Sequence, residues 1–425
     1  MPRASDAQRS MTSSASTGDV STRVGVVGPG LMGLGIAQAF AAAGAAVVLC
    51  GRDEEASRRG HDRLAASLAR QVARGRLDGA VEASVLARVE AAAMGSRLCD
   101  CDLVIESVPE DRALKNEVLA RIEKAAPKAI VASNTSGLAI GGLAKALADP
   151  HRFLGLHFFS PAERMPLVEV AIGERTSGEI VRQALALVQG AGKRPVVVRD
   201  GPGFFATRVF AAYLDEAVAM AAEGVALESI EAAAVANGRA LGPLVMLDET
   251  GIALNLSQAR QARADGLEPR FCRPLAEPTL TQLVAAGRCG RRAGGGFFDW
   301  PGDGPRKPWP GLATLLPVAP RQPDLDAIRL RLFAAEAREA LRCLEEGVVT
   351  SADDADAASV LGLGFPKARG GVLRWAEDFG LSALVEALNR LAEAHGDRYS
   401  PSPWLRALAA RSEGLGLYRR KDLTT

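Results

Sequence analysis

From residue 23 onward, short apolar runs alternate with stretches whose apolar residues recur at helical spacing. Val24–Val27, Ala46–Cys50, Leu103–Ser107 and Ala129–Ala132 are apolar with little alternation, the pattern of strands covered on both faces. Between them, Met32–Ala43, Glu54–Ala73 and Ala113–Ala125 carry helical patterns. The alternation predicts an α/β fold: a doubly wound parallel sheet of the Rossmann type. Two further runs, Phe153–Phe158 and Leu167–Val170, flank a loop holding Pro161 and Pro166. Arg194–Arg199 reads as the last strand. It ends at Asp200-Gly201-Pro202-Gly203, a turn-forming cluster that marks a domain boundary.

Beyond that cluster the pattern is helical only, and it repeats. Arg208-Val-Phe-Ala-Ala through Glu223-Gly224-Val225 recurs as Arg331-Leu-Phe-Ala-Ala through Glu346-Gly347-Val348, at a constant offset of 123 and with nine identities in eighteen positions. Loop elements follow in each copy: Gly242-Pro243 then Asp248, and Gly364-Phe365-Pro366 then Asp378. Two copies are too few for a solenoid, so two related all-α domains are expected. The stretch 301–325 holds seven prolines and reads as a semi-rigid connector. The expected organisation is a polar, serine-rich disordered tail (1–22), a dinucleotide-binding domain (23–200), a first helical domain (201–300), the connector (301–325), and a second helical domain (326–425).

Composition narrows the function by exclusion. In 425 residues, 51 Lys+Arg face 50 Asp+Glu, so no basic surface invites nucleic acid or an anionic membrane. No apolar run reaches the roughly 18–20 residues of a membrane span, and the first 22 residues lack the apolar core of a signal peptide. Six cysteines in a chain this long make no disulfide framework. Cys99 and Cys101 lack the second pair of a zinc site, so no metal is expected. These features predict a cytoplasmic protein with reduced thiols.

The chemistry begins at Gly28-Pro29-Gly30-Leu31-Met32-Gly33, between a predicted strand and a predicted helix. Gly28 permits the tight turn, Gly30 lets a pyrophosphate approach the backbone, and Gly33 allows close helix–strand packing. The second strand ends in Cys50-Gly51-Arg52-Asp53, where such folds place a ribose-binding acid. Two readings stand. Gly51 removes a carboxylate that repels a 2′-phosphate and Arg52 attracts one, which favours NADP. In the other, Asp53 or water serves the ribose and Arg52 stacks on adenine. Gly190-Ala-Gly-Lys193 lacks the upstream glycine and the Ser/Thr of a P-loop.

His157 closes one apolar run, and Glu169 lies twelve residues on. A loop folding back around Glu163 sets them face to face, with the carboxylate holding one imidazole nitrogen and the other free to take an alcohol proton. Ser133-Asn134-Thr135-Ser136 follows another strand at the carboxyl edge, where open α/β sheets bind ligands; capping of the next helix is the plainer reading. Glu110 and Lys115 lie just past the third predicted strand, within reach of a nicotinamide or as simple helix charges. No G-x-S-x-G or H-E-x-x-H motif supports a hydrolase.

The motifs GPGLMGLGIA (Gly28–Ala37), SNTSG (Ser133–Gly137), HFFSPAERMPLVEV (His157–Val170) and GPGFFATR (Gly201–Arg208) resemble the L-3-hydroxyacyl-CoA dehydrogenase family. The likeness continues through GRRAGGGF (Gly290–Phe297) and GLGFPKARGG (Gly362–Gly371). The doubled helical unit is similar to the dehydrogenase portion of multifunctional fatty-acid oxidation proteins; the hydratase portion found ahead of it there is not expected here. The resemblance implies NAD-dependent oxidation of an L-3-hydroxyacyl-CoA. It implies His157 as base, Glu169 as its orienting partner, Ser133 on the reacting hydroxyl and Thr207 beside the substrate oxygen. It also implies Gly28, Gly30, Leu31, Met32, Gly33, Arg52, Glu110, Lys115, Ser133 and Ser160 around the cofactor. Two positions depart from the family: Thr207 stands where asparagine is usual, as in the mitochondrial trifunctional branch, and Gly51 stands where the ribose-binding aspartate is usual. A homodimer is expected from the apolar faces of the helical domains, as is association with a separate hydratase or thiolase. The rival expectations are a dehydrogenase of another 3-hydroxy acid, free or carrier-bound, and a non-catalytic dinucleotide-binding subunit.

Overall fold

The computed structural model describes residues 22–301 and 304–411. The expected disordered tail lies outside the described residues, Thr22 apart, as does the end of the second helical unit beyond residue 411. Eight strands form one sheet in the order β3-β2-β1-β4-β5-β6-β7-β8. They are β1 (Arg23–Val27), β2 (Ala46–Gly51), β3 (Val89–Ala93), β4 (Leu103–Glu106), β5 (Ile130–Ser133), β6 (Phe153–Phe158), β7 (Leu167–Ile172) and β8 (Arg194–Arg199). The first six run parallel; β7 turns back antiparallel to β6, and β8 runs parallel to β7. The parallel run expected from the alternating pattern holds through β6, and the chain then folds back at the loop around Glu163 into β7. The reason is local: the short loop between β6 and β7 has no room for a crossover helix.

The helices of this domain are α1 (Leu31–Ala42), α2 (Glu54–Ala73), α3 (Gly79–Arg88), α4 (Arg112–Ala125), α5 (Ile140–Ala144) and α6 (Gly178–Gly190). Alternate strand residues face opposite layers. Val26, Leu49, Ile105 and Ala132 pack with Ile36 and Phe40 of α1, Leu64 of α2 and Val188 of α6. Val27, Val48, Val104 and Val131 pack with Leu119 of α4 and Leu143 of α5. Strand β3 and helix α3 escape the sequence pattern. Val-Glu-Ala-Ala-Ala is a half-exposed edge strand with no apolar run, held by its ladder to β2.

The first helical unit comprises α7 (Ala206–Ala222), α8 (Leu227–Ala236), α9 (Pro243–Thr250), α10 (Ile252–Ala264) and α11 (Glu277–Ala285). The proline-rich stretch is strapped to this unit: Trp309 N donates to Phe297 O, and Ala319 N and the Gln322 side chain both donate to Gly224 O. It holds the short α12 (Leu312–Leu315). The second unit follows as α13 (Leu325–Glu345), α14 (Ala352–Gly362), α15 (Val372–Phe379), α16 (Leu381–His395) and α17 (Pro403–Ala410). The repeat survives in detail. Glu231 of α8 accepts from the Leu244 and Val245 amides at the start of α9, and Asp356 of α14 accepts from Leu373 and Arg374 at the start of α15. Asp248 and Asp378, paired by sequence, do not correspond: Asp248 is buried on the Phe297, Phe298 and Trp300 N–H groups, and Asp378 is exposed.

Helices α7 and α13 run antiparallel, Arg208 near the start of α7 reaching Glu346 just past α13 and Arg331 of α13 reaching Glu223 just past α7. Residues of β5, α4, α5 and the second helical unit belong to one continuous apolar cluster. Much of the apolar surface of the helical units is buried within the chain, while Val235, Leu254, Leu325 and Phe379 remain exposed. The six cysteines carry free thiols, and among the described residues no helix is long and apolar enough to cross a membrane.

Candidate active site

Helix α1 begins directly at the glycine loop. Gly28 adopts φ +110°, and a Cβ there would meet the Ser107 carbonyl oxygen at 2.5 Å. At Gly33 a Cβ would sit 2.0 Å from Gly28 O, so α1 packs on the loop only because the residue is glycine. The space beside Gly30 is open, and Gly30 caps α1 with no side-chain hydrogen bond. The free N–H groups of the first turn therefore face outward with the positive end of the helix dipole, a cradle for a pyrophosphate. Leu31, at 55% exposure, and Met32 form a wall of the adjoining cavity.

At the end of β2, a Cβ on Gly51 would lie 2.8 Å from both Ala56 Cβ and Ser57 N. The first turn of α2 rests on that position, which is why no carboxylate stands there. Ser57 Oγ receives the Gly51 N–H at 2.7 Å and itself donates to Ala92 O. Asp53 Oδ1 accepts from Ala56 N at 2.6 Å and caps α2, and Arg52, 83% exposed, donates to Asp53 Oδ2 at 3.2 Å. The rim carries the exposed Arg52 and a carboxylate already used as a cap.

The antiparallel register of β6 and β7 puts His157 opposite Glu169. His157 Nδ1 lies 2.7 Å from Glu169 Oε2, and the other carboxylate oxygen accepts from Ala206 N at 2.8 Å. Glu169 is fully buried, and the imidazole is packed against Phe159 with ring centroids 4.5 Å apart. Its tautomer and plane are fixed from below, which leaves Nε2 as the free ring nitrogen on the cavity side. The Ala206 contact ties this pair to the start of α7, reached through Phe204 at φ +49°, a left-handed conformation that costs a bulky residue energy. Thr207 follows, half-buried, on the cavity wall.

Ser133 does not reach the cavity. It is fully buried, and its hydroxyl donates to Glu106 Oε2 at 2.5 Å. The two residues are lateral partners in β5 and β4, so their side chains share one face beneath the sheet edge. The structure brings Ser136 to the cavity in its place, three residues on in the same motif, with Gln258 of α10 donating to its Oγ at 2.9 Å. Sequence reasoning missed both. Ser136 was visible in the motif; Gln258 carries no local signal, because tertiary packing of α10 alone brings it there.

Glu110 lines the cavity, but its Oε1 already accepts from Thr135 Oγ1 at 2.6 Å, Gly137 N at 2.9 Å and Ser136 N at 3.1 Å. Lys115, with its side chain 1% exposed, donates to both Glu106 oxygens and stands 3.4 Å from Glu110. Lys115 therefore braces the two carboxylates and does not form part of the wall. Asn134 completes the frame, its Oδ1 accepting from Phe158 N at 2.9 Å beside His157. Ser160 is exposed on the same wall.

The cavity measures about 640 Å³ and lies between the α/β domain and both helical units. Leu31 and Met32 of the glycine loop, the oriented imidazole of His157 and Ser136 line it. That set suits removal of a proton from an alcohol beside a dinucleotide.

The profile of the 3-hydroxyacyl-CoA dehydrogenase NAD binding domain matches residues 23–201, and that of the 3-hydroxyacyl-CoA dehydrogenase C-terminal domain matches residues 203–300 and again 328–416. The fatty acid oxidation complex subunit alpha of Shewanella sp. (strain ANA-3) is 36% identical over 318 residues, 73% of this chain and 44% of that protein. Its counterpart in Shewanella loihica is 34% identical over 404 residues, 92% of this chain and 56% of that protein. The chain thus spans about half the length of these relatives. Among solved structures, 3-hydroxybutyryl-CoA dehydrogenase from Escherichia coli K12 superposes with a TM-score of 0.76 at 29% identity, covering 92% of this chain and 98% of the other. The dehydrogenase part of multifunctional enzyme 1 from C. elegans gives 0.65 at 26% identity, covering 91% and 89%.

Proposed function

The chain belongs to the 3-hydroxyacyl-CoA dehydrogenase family, and from that premise we propose that it oxidises the 3-hydroxyl of an L-3-hydroxyacyl-CoA to the 3-oxoacyl-CoA, using NAD. The observation that carries the reading is the His157–Glu169 pair, 2.7 Å apart, with His157 on the wall of a cavity that Leu31 and Met32 of the glycine loop also line. His157 Nε2 takes the hydroxyl proton. Glu169, buried and fixed by Ala206 N, stabilises the imidazolium that forms, and Ser136 with Thr207 orients the substrate oxygen. Gly28, Gly30, Leu31, Met32 and Gly33 would hold the cofactor, with Glu110 keeping the Thr135–Gly137 turn in place at its nicotinamide end. When bound, the cofactor would supply the acceptor for the hydride that leaves C3.

NADP is the second reading, favoured by Gly51 and the exposed Arg52. The relatives are named as a subunit of a fatty acid oxidation complex, which supports our reading that this chain works in the cytoplasm beside a separate hydratase or thiolase. The test is reduction of acetoacetyl-CoA followed at the nicotinamide absorbance, with NADH and NADPH in parallel and free acetoacetate as control. Turnover of the thioester alone supports the reading. Equal turnover of the free acid points to another 3-hydroxy acid, and cofactor binding without turnover of any chain length points to a non-catalytic subunit.

A further inference from the structure

Four arginines stand between the end of β2 and the middle of α2, and three of them are matched by acids. Arg52 pairs with Asp53 at 3.2 Å, Arg58 with Glu54 at 3.1 Å, and Arg59 with Glu55. Arg63 differs. Its Nη2 donates to Pro29 O at 2.6 Å, inside the glycine loop. Among the described residues no carboxylate pairs with it, and its Nε and Nη1 have no acceptor. The local sequence brings it there. Gly60 lets α2 approach the loop, since a Cβ at that position would lie 2.5 Å from Pro29 Cβ. Arg63 follows three residues later on the same helix face. Helical side chains lean toward the N-terminus of their helix, so the guanidinium rises from α2 to the loop.

Its surroundings indicate what that charge meets. Position 51, at the end of β2, bears no carboxylate for ribose hydroxyls, and Asp53 commits one oxygen to Ala56 N and the other to Arg52. Beside Pro29, the backbone at Gly30 is open, and the first turn of α1 has no side-chain cap on its N–H groups. A guanidinium held by one amine, with further N–H donors in a planar fork, matches the oxygens of a phosphate. Resting on the reading that this loop holds the cofactor, we propose that Arg63 contacts its pyrophosphate, so that the chain grips the adenosine half of NAD through phosphate charge in place of ribose hydroxyls.

The experiment titrates the full chain calorimetrically with NAD, ADP, 2′-deoxy-ADP and adenosine, in the wild type, Arg63→Gln and Arg63→Lys. Glutamine can still donate a hydrogen bond to Pro29 O but carries no charge. A charge-assisted contact at an exposed position corresponds to about 10-fold in affinity. Arg63→Gln should weaken ADP and NAD by about that factor and leave adenosine unchanged, and Arg63→Lys should recover part of the loss. The wild type should bind 2′-deoxy-ADP nearly as tightly as ADP. Binding of ADP by Arg63→Gln at wild-type affinity overturns the proposal. Equal losses on ADP and adenosine would make Arg63 a brace for the loop, which also overturns it. A large loss on removal of the 2′-hydroxyl returns the adenosine half to a ribose contact and contradicts the exchange proposed here. A wild type that binds neither NAD nor ADP fails the cofactor reading itself, a result distinct from an unaffected variant.

Discussion

Arg208 of the first helical unit bonds Glu339 of the second, Nε to Oε1 at 2.9 Å, and Arg331 returns the contact to Glu216, Nε to Oε1 at 3.0 Å. The outer pairs follow suit: Arg208 reaches Glu346 at 2.8 Å and Arg331 reaches Glu223 at 2.7 Å. Each residue lies 123 positions from its counterpart, so the two units meet as the halves of an isologous dimer, joined in one chain.

The inner pairs are buried, and removing one member leaves its partner uncompensated. Arg208→Met should lower stability by on the order of 3–5 kcal/mol, read as a fall in denaturation midpoint. The wild type should sediment as a monomer across micromolar concentrations, since the α7–α13 contact is already made within the chain. A tight dimer would show that another surface associates.

Ser133 and Ser136 should separate cleanly on substitution. Ser133→Ala strips a hydrogen bond from buried Glu106 and should cost about 1–3 kcal/mol of stability. Ser136→Ala should leave the melting temperature near wild type and lower kcat/KM for the acyl-CoA. The reverse outcome would return the substrate role to Ser133.

Gly51→Asp restores the acid that such folds usually carry, yet its Cβ would lie 2.8 Å from Ala56 Cβ. Displacing the first turn of α2 should cost about 1–3 kcal/mol. A variant that melts as high as the wild type would show that α2 yields freely.

Glu231 should make stability fall with rising pH. Burial pushes its carboxyl up from 4.5 to about 7, against the N–H groups of Leu244 and Val245 that favour the charged form. The folded chain thus keeps a proton that the unfolded chain has released. This contribution is whole below about 4.5 and lost as pH rises through about 7, on the order of 3 kcal/mol in all. Glu231→Gln should flatten the midpoint profile across that window; an unchanged slope would assign it to other groups.

The glycine loop and the pairing of His157 with Glu169 were legible because each rests on local rules, a φ only glycine adopts and a strand period of two. Edge strand β3 was not, since a run of alanines with one glutamate has no apolar signature. Nor was the choice between Ser133 and Ser136. Both follow the strand, and only the lateral partnership with Glu106 shows which is committed to the interior. Gln258 is brought to the cavity by a helix far along the chain, and no local pattern encodes that.

The most direct test of the central claim is oxidation of an L-3-hydroxyacyl-CoA by His157→Ala, with cofactor binding titrated in parallel. The account predicts cofactor affinity near wild type and turnover reduced by about 10²–10⁴-fold, the usual weight of a general base. Turnover close to wild type would contradict it, because the one oriented imidazole on the cavity wall would then do no chemistry.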